Sequence, residues 1–154
     1  MNQTLDELTN ALDLAQTAMM QKLQAVSAAA IVEPRSGWRV QDLVGHIAAW
    51  DWVLIEALGA HESGGTVQII RDHAAFDQMQ WNLRRNREAG QIYAEYVLAK
   101  SSLKMALRRL TVAKLAEPLP VPWADRRDTA SRLVYELLER ETEHRQKIAA
   151  LIRS

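Results

Sequence analysis

Four segments of this chain repeat apolar residues at alternating spacings of three and four, the pattern that gives an α-helix one apolar face. The first, about Thr4 to Ala29, carries Leu5, Leu8, Leu12, Ala15, Met19, Leu23 and Val26. Thr4, with Glu7 three residues on, predicts a capping box at its start; Pro34 and Gly37 turn the chain after it. The second, about Arg39 to Leu58, runs through Leu43, Ile47, Trp50, Leu54 and Ala57, with Gly59 as its stop. The third, Gln91 to Ala116, runs through Ile92, Val97, Leu103, Leu107 and Leu110. The fourth starts at Asp128 or Thr129, either of which can cap it, and reaches Ile152 through Val134, Leu137, Glu141, His144, Ile148 and Leu151.

The connections complete the picture. Between the second and third segments lie a loop, Ala60 to Thr66, and a shorter helix, His73 to Asn86, carrying Phe76, Met79, Trp81 and Leu83; Gly90 breaks or kinks the chain after it. Pro118, Pro120 and Pro122 make Glu117 to Asp128 an extended loop. No segment sustains alternating apolar and polar residues, so no strands are expected. The prediction is an all-α, single-domain four-helix bundle over residues 1–154. A long crossover joins its second and third principal helices and contains a short extra helix.

Charge and composition exclude several roles. Lys+Arg and Asp+Glu both number 19, so there is no basic excess to neutralise nucleic-acid phosphates. The clusters Arg84, Arg85, Arg87 and Arg126, Arg127 read as solvated helix ends. The absence of cysteine excludes disulfides, thiolate metal sites and a cysteine nucleophile. Thiol chemistry would need a thiol cosubstrate. The polar stretch Met1 to Glu7 has no signal-peptide pattern, and no apolar run reaches the ~18 residues of a membrane span. A cytoplasmic protein with no membrane partner is expected.

Chemistry is concentrated in two places. Two of the six inward positions of the last seam, Glu141 and His144, are polar and one turn apart. Buried polar groups must be paired. His46 falls on the flank of the second seam, near Trp50 and Val53, so folding should bring His46 and His144 together, and a metal site is the sharpest explanation. His61 and His73 read as surface residues of the crossover, within reach of the bundle mouth as acid–base groups. Trp38 should pack under the turn into the second helix, and Trp50 should wall the pocket; Trp81 and Trp123 are less placed. Asp51 and Glu56 read as solvated, with Asp51 a slight rotation away from the site.

Two stretches carry a family resemblance. Trp38, Val40, Asp42, Leu43 and His46 resemble the opening of the second helix in the DinB/YfiT-like superfamily of bacterial four-helix bundles. Glu141-x-Glu143-His144-Arg145-x-x-Ile148 resembles its closing motif. The resemblance implies the bundle with its crossover, a homodimer, and a small-molecule substrate. Members include thiol-dependent S-transferases, a mycothiol-dependent isomerase and a hydrolase that disarms a genotoxin. It also implies a metal held by one histidine on the second helix and two on the fourth, spaced His-x-x-x-His. The corresponding positions here are His46, Arg140 and His144, and a guanidinium has no lone pair to ligate with. Arg39 stands where relatives often carry a capping Ser or Thr.

Three readings of the site stay open. In one, Zn, Ni, Fe or Mn is bound by His46, His144 and Glu141, the last two sharing a helix face at i and i+3. An open position would hold a water or thiolate, giving a small metal-assisted transferase or hydrolase for an electrophilic metabolite or xenobiotic. In the second, the fixed charge of Arg140 takes the place of the metal and grips an anionic ligand. In the third, the histidines are satisfied core residues of a binding or dimerisation module.

Overall fold

The computed structural model describes residues 3–152. Four long helices, α1 (Gln3–Gln24), α2 (Val40–Ser63), α4 (Ala89–Arg108) and α6 (Ala130–Ile152), form an all-α bundle; α3 (His73–Arg84) lies in the crossover and α5 (Val112–Ala116) follows α4. α2 packs on α4, α3 and α6, and α1 packs on α4 and α6. Two antiparallel pairs correct the expectation of no strands: β1 (Ile31–Glu33) with β2 (Trp38–Arg39), and β3 (Leu119–Pro120) with β4 (Arg127–Asp128). At two or three residues each they are too short for any alternation to register in sequence.

The helix ends show which local signals prevailed. α1 is already under way at Gln3, so Thr4 is inside the helix and is not its cap. It stops at Gln24 rather than Ala29 because the chain beyond has another use. The carbonyls of Ala30 and Ala28 accept from Val40 N–H at 2.9 Å and Gln41 N–H at 3.1 Å, satisfying orphan donors at the start of α2. Asp42 secures the same end, accepting from the Arg39 backbone N–H at 2.8 Å and from its guanidinium at 2.9 Å. Arg39 thus secures this end without a Ser or Thr cap.

α2 also runs past Gly59. It ends at Gly64, which adopts φ 75 and donates its N–H to the Ala60 carbonyl, the left-handed stop that glycine favours. The extra turn buries His61, whose Nε2 donates to the Lys114 carbonyl at 2.9 Å; the surface reading of this residue is corrected. The long helix expected to Ala116 breaks after Arg108, and Thr111 caps α5 by accepting from Lys114 N–H at 3.1 Å. By length and composition α2 could cross a membrane, but most of its apolar window is buried inside the bundle.

The core divides into two apolar clusters. One gathers Leu8, Leu12, Leu54, Leu103, Leu107 and Leu133; the other gathers Met19, Val40, Val44, Ile92, Tyr96 and Ile148. Between them along the helices sits a buried polar layer: Asp51 of α2, Lys100 of α4 and Glu141 of α6.

Candidate functional site

A pocket of about 270 Å³ opens where α2, α3 and α6 meet, lined by His46, Trp50, Asp51, His73, Asp77, Arg140, Glu143 and His144. His46 and His144 are together, as the seams predicted. Their rings meet edge to face, with centroids 5.1 Å apart and planes at 87°. Trp38 packs on His46 from the turn, with centroids 5.3 Å apart. Trp50 walls the pocket, against His73 at 5.1 Å and Trp123 at 6.4 Å.

The residue that sequence reasoning missed is Asp77 of α3. Its Oδ1 stands 3.3 Å from His46 Nδ1 and accepts from Trp50 Nε1–H at 2.9 Å. Burial alone would raise its carboxyl. The His46 contact and the indole N–H outweigh that and hold it below the usual carboxylate range. A faint signal existed in the spacing of His73 and Asp77, one turn apart on the same helix face. His73 itself lines the pocket, donating from Nε2 to the Trp123 carbonyl at 2.8 Å, so its surface reading is corrected as well.

His144 is the pocket's most displaced base. Burial first, then the charges of His46, Lys147 and Arg140, push its imidazole down to about 4, so it is neutral near neutral pH. Its Nδ1 is buried without a hydrogen-bond partner among the described residues. Arg140 lines the same pocket and forms no hydrogen bond or ion pair with any described residue.

Glu141 is occupied elsewhere. Both carboxylate oxygens are taken by α4: Oε2 accepts from Tyr96 O–H at 2.8 Å and Oε1 from Lys100 Nζ. Lys100 also donates to Asp51 Oδ2 at 2.7 Å. Asp51, read from sequence as solvated, is 2% exposed and joins this buried cluster while lining the pocket. Glu56 is exposed, as read.

The donor set does not fit a divalent cation. Among the described residues no cluster of three or more His, Asp or Glu side chains could hold one, and the guanidinium of Arg140 has no lone pair to ligate with. A larger groove, about 660 Å³, lies between α2 and the crossover. Its charged side chains are Glu56 and Arg84, and Arg84 is already bound to Glu95 at 2.8 Å. The smaller pocket holds the chemistry.

A solved structure titled as the mycothiol-dependent maleylpyruvate isomerase shares this architecture. The TM-score is 0.77 at 15% sequence identity, covering 96% of this chain and 63% of that one. The likeness shows a shared all-α bundle fold, and this chain spans under two thirds of that protein's length. No family sequence profile matches the chain, and no curated protein matches it in sequence.

Proposed function

We propose that the pocket binds a small organic anion and moves a proton on it, with Arg140 holding the anion and the His46–Asp77 pair handling the proton. The observation that carries this reading is Arg140, a permanent cation lining the pocket with no hydrogen bond or ion pair to any described residue. A guanidinium presents a planar fork that matches a carboxylate bidentately. At about 270 Å³ the pocket falls just below the ~300–1,000 Å³ range of drug-sized ligand sites, which favours a small metabolite.

The surrounding groups suit that task. Asp77, held ionised, orients His46 through Nδ1 and leaves Nε2 to take or give a proton, the arrangement of an oriented general base. Neutral His144 offers a hydrogen bond beside Arg140 and adds no second fixed charge. The similar isomerase is named for maleylpyruvate, an organic acid, which fits the same class of ligand. Any thiol used here would arrive as a cosubstrate, since the chain has no cysteine. A homodimer remains part of the proposal, and Leu98 and Met105 on the outer face of α4 are apolar and exposed; light scattering in solution tests it.

Titration calorimetry with malonate and maleate, and with neutral malonamide as control, tests the reading. Both acids should bind and the diamide should not, and Arg140→Ala should weaken the acids at least about tenfold, the loss of one charge-assisted contact. Unchanged affinity in that variant, or equal binding of malonamide, would overturn it.

A further inference from the structure

We propose that Asp51 is the proton donor of this pocket, its carboxyl fixed on the pocket wall by the buried Lys100–Glu141–Tyr96 cluster behind it. The inference rests on the anion-pocket reading above and extends it to a reaction class, a proton shift within the bound anion.

The argument begins with charge. Asp51, Lys100, Glu141 and Tyr96 are all at most 2% exposed. Fully ionised, the cluster would set two nearly buried carboxylates against one hydrogen-bonded ammonium, with the half-buried Arg145 guanidinium acting on it from α6. That is costly, and a buried group escapes the cost by taking a proton. The hydrogen bonds decide which carboxyl takes it. Glu141 has a donor on each oxygen, Tyr96 and Lys100, whereas Asp51 has Lys100 alone. Hydrogen bonds to the charged form favour ionisation, and Asp51 has one where Glu141 has two, so Asp51 is the carboxyl left to respond to burial.

Asp51 is also the one member of the four that lines the pocket. Burial, opposed by Lys100 and reinforced by the Glu141 charge, pushes its carboxyl up to about 6. Across the pocket it shares the space with His46, His73 and Asp77, and with His144, Arg140 and Glu143 from α6. Two titrating groups driven apart by their surroundings mark an acid and a base. Asp77 is driven down and backs the base His46. Asp51 is driven up and supplies the acid.

The step balances without a further reactant. His46 takes a proton from one atom of the anion, and the electron pair of the broken bond stays on the substrate. The Asp51 O–H breaks and delivers its proton to another atom of the same anion, leaving its electron pair on the carboxylate. Lys100, a positioning residue, stabilises the carboxylate that results. The substrate leaves with the atoms it brought, and water in the open pocket returns the proton from His46 to Asp51. The class is isomerisation.

The test is a carbon-13 NMR titration of the aspartate side-chain carboxyls of the full chain from pH 4 to 9, with the Asp51 signal assigned through Asp51→Asn. The Asp51 carboxyl should titrate with a midpoint near 6. Lys100→Met should raise that midpoint by more than about one pH unit, and Glu141→Gln should lower it, since these remove an opposite and a like charge. If Lys100→Met does not fold, Glu141→Gln alone decides. An Asp51 carboxyl that is ionised throughout, one that stays protonated to pH 9, or one whose midpoint ignores Glu141→Gln overturns the proposal. The titration uses ligand-free protein, so it fails independently of the Arg140 calorimetry.

Discussion

His46 and Asp77 meet at 3.3 Å although one belongs to a core helix and the other to the crossover. The contact sets the imidazole's working nitrogen. A carboxylate at Nδ1 favours the tautomer with its proton there and Nε2 as the base. Long-range proton–nitrogen NMR should therefore find His46 protonated at Nδ1 in the neutral form. Asp77→Ala removes the oxygen that serves both Trp50 Nε1–H and His46 Nδ1 and should abolish that tautomer preference. An unchanged His46 spectrum in this variant counts against the pair.

His144 should remain neutral down to about pH 4, against an ordinary value of 6.5. Between those values the unfolded chain binds more protons than the folded one. Its contribution to stability is therefore complete above pH 6.5 and is lost as pH falls through 4. Asp51 works in the opposite sense between 3.8 and about 6, so denaturation of the wild type alone mixes the two. The stability difference between wild type and His144→Phe, followed by urea melts from pH 7 to 4, isolates the histidine. It should change in favour of His144→Phe as the pH drops; a flat difference contradicts the neutral imidazole.

Arg140→His would supply the third imidazole that the family pattern implies. Inductively coupled plasma mass spectrometry after incubation with zinc or nickel, followed by desalting, should find little metal on the wild type and near one equivalent on the variant. The shift would trace the missing cation site to a single side chain. Full occupancy of the wild type would contradict the reading of Arg140 as its replacement.

Lys100 holds two buried carboxylates at once. Lys100→Met should destabilise the protein by about 3–5 kcal/mol, the usual result of leaving buried charge unpaired. Adding Asp51→Asn and Glu141→Gln should recover part of that loss, because the charges then go together. Chemical denaturation of the single and triple variants measures both steps; an additive worsening argues against the network.

The helices were legible because three-four seams are local: Leu8, Leu12 and Met19, or Val134, Leu137 and Ile148, declare their inward face within a single segment. Glu141 was legible only by halves. Its seam position announced a buried carboxylate that needed a partner, but Lys100 and Tyr96 lie on another helix, and nothing within α6 points to them. The sequence reading therefore turned Glu141 towards His144 as a ligand, whereas the bundle turns it towards α4. Asp77 was invisible for a different reason. It sits on a helix that buries none of its described residues, so no seam marks which of its faces matters. The two glycine stops of α2 show the same limit, since only the burial of His61 selects Gly64 over Gly59.

α3 therefore brings Asp77 and His73 to the pocket while contributing no buried residue to the bundle. Met79 and Leu83 of this helix face solvent, whereas Phe76, Asp77 and Arg84 hold it to α2 and α4. The bundle helices themselves carry His46, Asp51 and Arg140, and the crossover adds the carboxylate that orients His46, so the pocket closes only when core and crossover meet.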